Sequence, residues 1–171
     1  MRFRAIQTDD VPDMFEIRIA TWHNSDGREE MTKIGITPHS VRQMLLDSHR
    51  GWLCEVDGRN VGFAIGNKET GEMWVIAVLN EFEGRAIGRE LLRLVENWLG
   101  SQGWKEIWLT TDIDDNLRAV GFYRHEGWAD WKIEHGDRYM RKIIAPSAAP
   151  NGGPAVSVDN SNAPGGPPSA S

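Results

Sequence analysis

The sequence predicts an α/β domain built on a mixed central sheet of about six to seven strands, with helices on both faces. Three features carry that expectation. The stretches around Trp52–Val56 and Val61–Ile65 alternate in polarity and meet at Asp57-Gly58, which reads as an antiparallel hairpin. An apolar run from Met73 to Leu79 stops at Asn80 and is followed by a glycine-spaced loop and a long amphipathic helix. A second apolar run, Glu106 to Thr111, comes after that helix, and the right-handed crossover rule sets it parallel to the first.

Taken in order, Phe3-Arg4-Ala5-Ile6-Gln7 reads as a first strand. Thr8, Asp9 and Asp10 offer caps for a helix whose first turn tolerates Pro12. At about 100° per residue, Val11, Met14, Phe15, Ile19 and Trp22 share one arc. Arg18 falls inside that arc, either snorkelling at the helix edge or directing its charge at a substrate. His23 to Gly27 breaks the helix, and Thr37-Pro38 opens another on which Val41, Met44 and Leu45 keep helical spacing. Two helices with a loosely patterned connection form one wall of an acceptor pocket, or else plain packing material. Arg18, Trp22 and His23 are therefore candidates on the substrate side.

A third strand, Glu72 to Val78, completes the meander and feeds the glycine loop. On the long helix, Ile87, Leu91, Leu94, Val95, Trp98 and Leu99 form an apolar stripe, with Arg89, Arg93 and Glu96 opposite. Asn116 to Tyr123 reads as a short helix closed by Gly127, with Asn116, Ala119 and Tyr123 on one face. Trp128–Glu134 and Arg138–Ile144 are the last strands, joined at His135-Gly136-Asp137.

The chain has 171 residues, a formal net charge of −6 and one cysteine, Cys54. This suits one compact domain, residues 1–144, without internal disulfide or metal cluster, in a reducing, cytoplasmic setting. No apolar run approaches the ~18 residues of a membrane span, and none follows Met1-Arg2-Phe3-Arg4 as a signal core. The acidic balance argues against nucleic acid as a partner. Six of the eight prolines lie beyond Ala145, among glycine, serine and alanine. That stretch, residues 145–171, cannot bury enough apolar surface to offset its ordering entropy and is expected to be a disordered tail.

The chemistry centres on Glu83-Gly84-Arg85-Ala86-Ile87-Gly88-Arg89. A helix start leaves several N–H groups without partners and carries about half a positive charge. Gly84 and Gly88 let an anion approach those amides, and Arg85 and Arg89 add charge on the same side. The physical reading is a phosphate or pyrophosphate cradle, against the commoner reading of plain turn chemistry. No Gly-Lys-Ser/Thr follows, and no Gly-x-Gly-x-x-Gly opens an N-terminal βαβ unit, which disfavours a P-loop protein or a nucleotide-dependent oxidoreductase.

With Asn116, Ala119, Phe122, Tyr123, Gly127 and Trp128 downstream, the chain resembles the GCN5-related N-acetyltransferase superfamily over Met1 to about Ile144. That family's Gln/Arg-x-x-Gly-x-Gly/Ala is read here as Glu83-x-x-Ala86-x-Gly88, and its later Asn-x-x-Ala-x-x-Phe-Tyr-x-x-x-Gly-Phe/Trp starts at Asn116. Glu83 and Ala86 depart from the pattern. A carboxylate near a pyrophosphate repels it unless the side chain turns away, and a methyl at Ala86 is tolerable while φ stays negative.

The resemblance implies a fold whose central parallel strands splay, with acetyl-CoA as acyl donor and no metal. Coenzyme A would lie in the gap, its arm pairing with backbone near Ile76, Ala77 and Val78 and its pyrophosphate over Glu83 to Arg89. Asn116 would bond the arm or cap its own helix, with Ala119 alongside. Tyr123 would protonate the leaving thiolate, its phenol at about 10 standing above a thiol at about 8.5. Glu72 is the chosen base for the acceptor amine, ahead of Asp112 and His23, with water as a route that needs none of them. The expected activity is N-acetylation of a primary amine of a small molecule or peptide by direct attack in a ternary complex. The alternative is a non-catalytic acyl-CoA-binding regulatory or sensor domain. Pairing of the last strand across a homodimer is a further expectation.

Overall fold

The computed structural model describes residues 1–21 and 27–144. Trp22, His23 and the tail 145–171 lie outside the described residues. The strands are β1 (Arg2–Ala5), β2 (His49–Val56), β3 (Arg59–Asn67), β4 (Glu72–Val78), β5 (Glu106–Thr111), β6 (Ala129–Glu134) and β7 (Asp137–Ile143). The helices are α1 (Val11–Ala20), α2 (Gly27–Lys33), α3 (Pro38–Asp47), α4 (Ile87–Ser101) and α5 (Arg118–His125). One seven-stranded sheet runs in the order β1-β2-β3-β4-β5-β7-β6. Every neighbouring pair is antiparallel except β4 and β5, which run parallel.

Local chemistry explains most boundaries. Thr37 and Ser40 cap α3 reciprocally, each side chain bonded to the other's backbone N–H. The β2–β3 turn places Asp57 at φ 50° and Gly58 at φ 78°, the left-handed pair that a two-residue hairpin needs. Helix α2 is not foreshadowed in the sequence. Gly27 begins it rather than breaking a helix, and Met31 is its buried anchor against the core.

The meander strands are buried on both faces rather than one: Leu53 and Cys54 are adjacent in β2 and both are 0% exposed. The reason is a three-layer arrangement, with α4 over one face of β2–β4 and α1 and α3 over the other. Helix α4 comes so close that a Cβ at Gly66 would meet Val95 Cγ1 at 2.7 Å. Glu96 does not lie on the solvent side of α4 as expected. Its carboxylate accepts from Trp128 Nε1 at 3.0 Å and Lys142 Nζ at 2.9 Å, tying the helix to the final hairpin. The last strand is also no free edge, because β7 sits between β5 and β6 and leaves β6 outermost. The last strand thus has a neighbour on each side and offers no unpaired edge for the expected strand pairing across a dimer. No helix of the described residues is long and apolar enough to cross a membrane.

Candidate active site

The parallel pair is where the sheet departs from regularity. Among the described residues, its register is confined to Glu72 opposite Trp108, with Trp108 N–H donating to Gly71 O at 3.2 Å. Beyond that rung the strands diverge, so the β4 main chain on its β5 side is left to other partners. A cavity of about 750 Å³ fills the opening, lined by Ile76, Ala77 and Val78 on β4, by the loop to α4, and by α5. Ordinary ligand cavities span about 300–1,000 Å³.

The loop at its far end has the shape of a cradle. Gly84 takes φ 76°, and nothing stands within 4 Å of where its Cβ would be. Helix α4 begins at Ile87, so the unpaired N–H groups of its first turn face the same opening. Glu83, Gly84, Ala86, Ile87, Gly88 and Arg89 all line the cavity. Arg85 does not; its guanidinium lies 5.0 Å from the Phe82 ring. Arg89 Nε is bonded to Glu126 at 2.9 Å. The Glu83 carboxylate is turned onto Arg118 at the start of α5, the orientation that removes its conflict with a bound anion. Ala86 departs from expectation: its φ is +61°, not negative. It is the residue before the helix, and the left-handed turn that aims the loop amides is imposed on an L side chain at a cost of about 1–2 kcal/mol.

Helix α5 supplies Ala119, Phe122 and Tyr123 to the cavity wall. Tyr123 is 6% exposed, edge-on to Trp128 at 6.1 Å between ring centroids. Its hydroxyl pKa stands above the usual phenol value, first because of burial, with the charge of Arg18 pulling the other way. Asn116 is neither in the lining nor the cap of α5. It is exposed, precedes the capping Leu117, and its Nδ2 donates to Asp114 Oδ1 at 3.1 Å. Asp112 is likewise exposed outside both cavities, its Oδ1 accepting the Asp114 N–H at 2.9 Å in a local turn. Arg118, Phe82 and Leu117 line the cavity without having been singled out, and only their place beside the two motifs marks them in the sequence.

A second cavity, about 390 Å³, opens on the other side of β4 and is lined by α1, α2, Trp74, Val75, Thr110, Thr111 and Asp137. Arg18 lines both cavities, which meet where Val75 and Ile76 point to opposite sides of the strand. Glu72 lines neither. It sits at the closed vertex of the parallel pair, two residues before Trp74, and burial pushes its carboxyl pKa up to about 7.

Comparison with known proteins agrees with this geometry. Residues 11–128 match the model of the Acetyltransferase (GNAT) family. An uncharacterised N-acetyltransferase of Methanocaldococcus jannaschii is 25% identical over 150 residues, 82% of this chain and 66% of that protein. The chain thus spans just under two thirds of that relative. Among solved structures, the PaiA N-acetyltransferase of Thermoplasma acidophilum with coenzyme A superposes at TM-score 0.72 and 16% identity, over 84% of this chain and 100% of that one. An aminoglycoside 6'-N-acetyltransferase complexed with coenzyme A superposes at TM-score 0.68 and 18% identity, over 88% and 100%. At such identities the structures testify to the fold, whereas the family match covers more than half the sequence. The strand opening, the cradle before α4 and the Tyr123 wall are thus those of a member of the acetyltransferase (GNAT) family, to which this chain belongs.

Proposed function

We propose that the protein is an acetyl-CoA-dependent N-acetyltransferase that holds donor and primary amine together and joins them by direct attack. The observation that carries this reading is the one-rung pairing of β4 with β5, which opens into a cavity ending at a helix-start cradle. Unpaired β4 amides suit an extended amide-bearing arm, and the Gly84–Gly88 loop suits a diphosphate. When bound, acetyl-CoA supplies an acetyl thioester whose carbonyl carbon the amine attacks, the C–S bond breaking with its electron pair on sulfur.

The side chains divide the proton work. Glu72, at the vertex but outside both cavities, accepts the acceptor ammonium's proton through intervening water, and a pKa near 7 suits a base that must be partly ionised at neutral pH. β4 backbone N–H groups facing the opening stabilise the developing oxyanion. Tyr123 keeps its proton at neutral pH and donates it to the departing sulfur; the nitrogen's remaining excess proton restores the phenol, and Glu72 releases its own proton to solvent. Cys54 is buried in β2, away from both cavities, which supports transfer without a cysteine-acyl intermediate.

Titration calorimetry with acetyl-CoA, followed by thiol release in the presence of a broad amine panel, tests the proposal. Binding and amine-dependent release are expected. No binding overturns it, and binding without transfer to any amine leaves the non-catalytic acyl-CoA module in its place.

A further inference from the structure

The smaller cavity carries information about the acceptor. Its floor is Phe63, Ile65 and Val75 on the sheet, and its walls come from Met14 and Phe15 on α1 and Met31 on α2. At its lip stands Ile34, 70% exposed, so even the mouth is apolar. An apolar cavity of ~150 Å³ already accepts benzene, and this one is about 390 Å³. Such walls return little to a hydroxylated or multiply charged body, whose polar groups would be left without partners.

Among the described residues, two charges stand in the lining. Asp137, the first residue of β7, lies beside Thr111 of β5, because Thr111 registers with Arg138. Among the described residues its exposed carboxylate makes no ion pair. With Thr110 and Thr111 it presents one anionic, hydrogen-bonding edge on the β5–β7 side of the cavity, whose lining also includes Trp74 and Val75 of β4. Arg18 marks the opposite polarity at the junction of the cavities and would oppose a second cation.

We propose that the acceptor is a free monoamine on an apolar alkyl or arylalkyl body: its ammonium meets Asp137 and the threonine edge, and its carbon body fills the space between α1, α2 and the sheet. This rests on the acetyl-transfer reading for its purpose, though not for the binding itself.

The test uses the full chain and four kinds of amine: phenethylamine and hexylamine, ethanolamine, the polycations spermidine and kanamycin, and a short peptide beginning with Phe. The apolar monoamines are expected to exceed ethanolamine and the polycations at least about tenfold in kcat/KM. Asp137→Asn and Ile34→Lys, both at exposed positions and neither in the coenzyme cavity, should each raise the KM for phenethylamine about tenfold while the Kd for acetyl-CoA is unchanged. Preference for spermidine or kanamycin, or for the peptide over the free amine, overturns the proposal. If acetyl-CoA fails to bind, the transferase reading falls by itself. Calorimetry with phenethylamine alone then decides: saturable binding weakened by Asp137→Asn sustains the acceptor class, and its absence overturns it.

Discussion

Glu83 and Arg118 face each other across the open end of the β4–β5 gap, one on the loop before α4 and the other on the first residue of α5, and their side chains form an ion pair. The pair is exposed, so its worth to stability is within about 1 kcal/mol. Its consequence is electrostatic and local. Arg118→Ala leaves a carboxylate beside the cradle and is expected to weaken acetyl-CoA binding several-fold, most at low salt. Glu83→Gln frees a guanidinium in the same place and is expected to tighten it. Calorimetric Kd values for the two variants and the double variant, at two salt concentrations, check the sign of each effect.

Tyr123→Phe removes one hydroxyl from a buried ring and keeps its contacts with Phe122 and Trp128. For a general acid, kcat is expected to fall by ~10²–10⁴ while the KM for acetyl-CoA holds nearly constant. Unchanged turnover across pH, in a variant with an unaltered circular dichroism spectrum, would remove the acid from Tyr123.

Glu72 makes two pH statements with one sign check. Its folded-state pKa is raised from the ordinary 4.5 to about 7, so the folded protein prefers the protonated carboxyl. Its contribution to stability is intact below about pH 4.5 and is lost as pH climbs to about 7, a change of up to about 3 kcal/mol. Glu72→Gln is accordingly expected to melt higher than the parent at pH 8 and alike at pH 4. As a base, the ionised form is the active one, so kcat/KM should rise with pH to a plateau above about 8 and lose that ascending limb in Glu72→Gln. A variant that is more stable at pH 8 yet less active would join both roles in one carboxylate.

Ala86 at φ +61° invites the substitution the family pattern favours. Ala86→Gly relieves left-handed strain of about 1–2 kcal/mol but gives the unfolded chain more freedom. A net gain of about 0.5 kcal/mol in denaturant unfolding, with equal or tighter acetyl-CoA binding, is the expected balance. A loss of stability would mean that the turn is not strained.

What was legible in the sequence follows the physics of each signal. Periodic apolar residues and turn chemistry located the meander, α4 and β5, because burial on one stripe and a left-handed Asp57-Gly58 are local requirements. Two spaced motifs brought the cradle and Tyr123 to one cavity although 35 residues separate Glu83 from Arg118. Helix α2 was not legible, since GREEMTK has a single apolar anchor, Met31, and is held by tertiary contact. Asn116 lies two residues before the helix, which starts at Arg118, so helical spacing does not apply to it. Asp137 could not be marked in advance, because only the β5–β7 register brings it beside Thr111. Ala86 shows the limit of a pattern read as letters: a methyl group in the sequence carries no sign of the φ it must adopt.

The solitary Glu72–Trp108 rung makes the sheet two blocks, β1 to β4 and β5 to β6, hinged where a continuous ladder would have made one plate. Whatever occupies the breach acts as mortar, bonding to main chain that has no mate within its own strands. An occupant bonded to that main chain would stabilise the folded state by linkage, and acetyl-CoA is accordingly expected to raise the melting temperature in proportion to its occupancy.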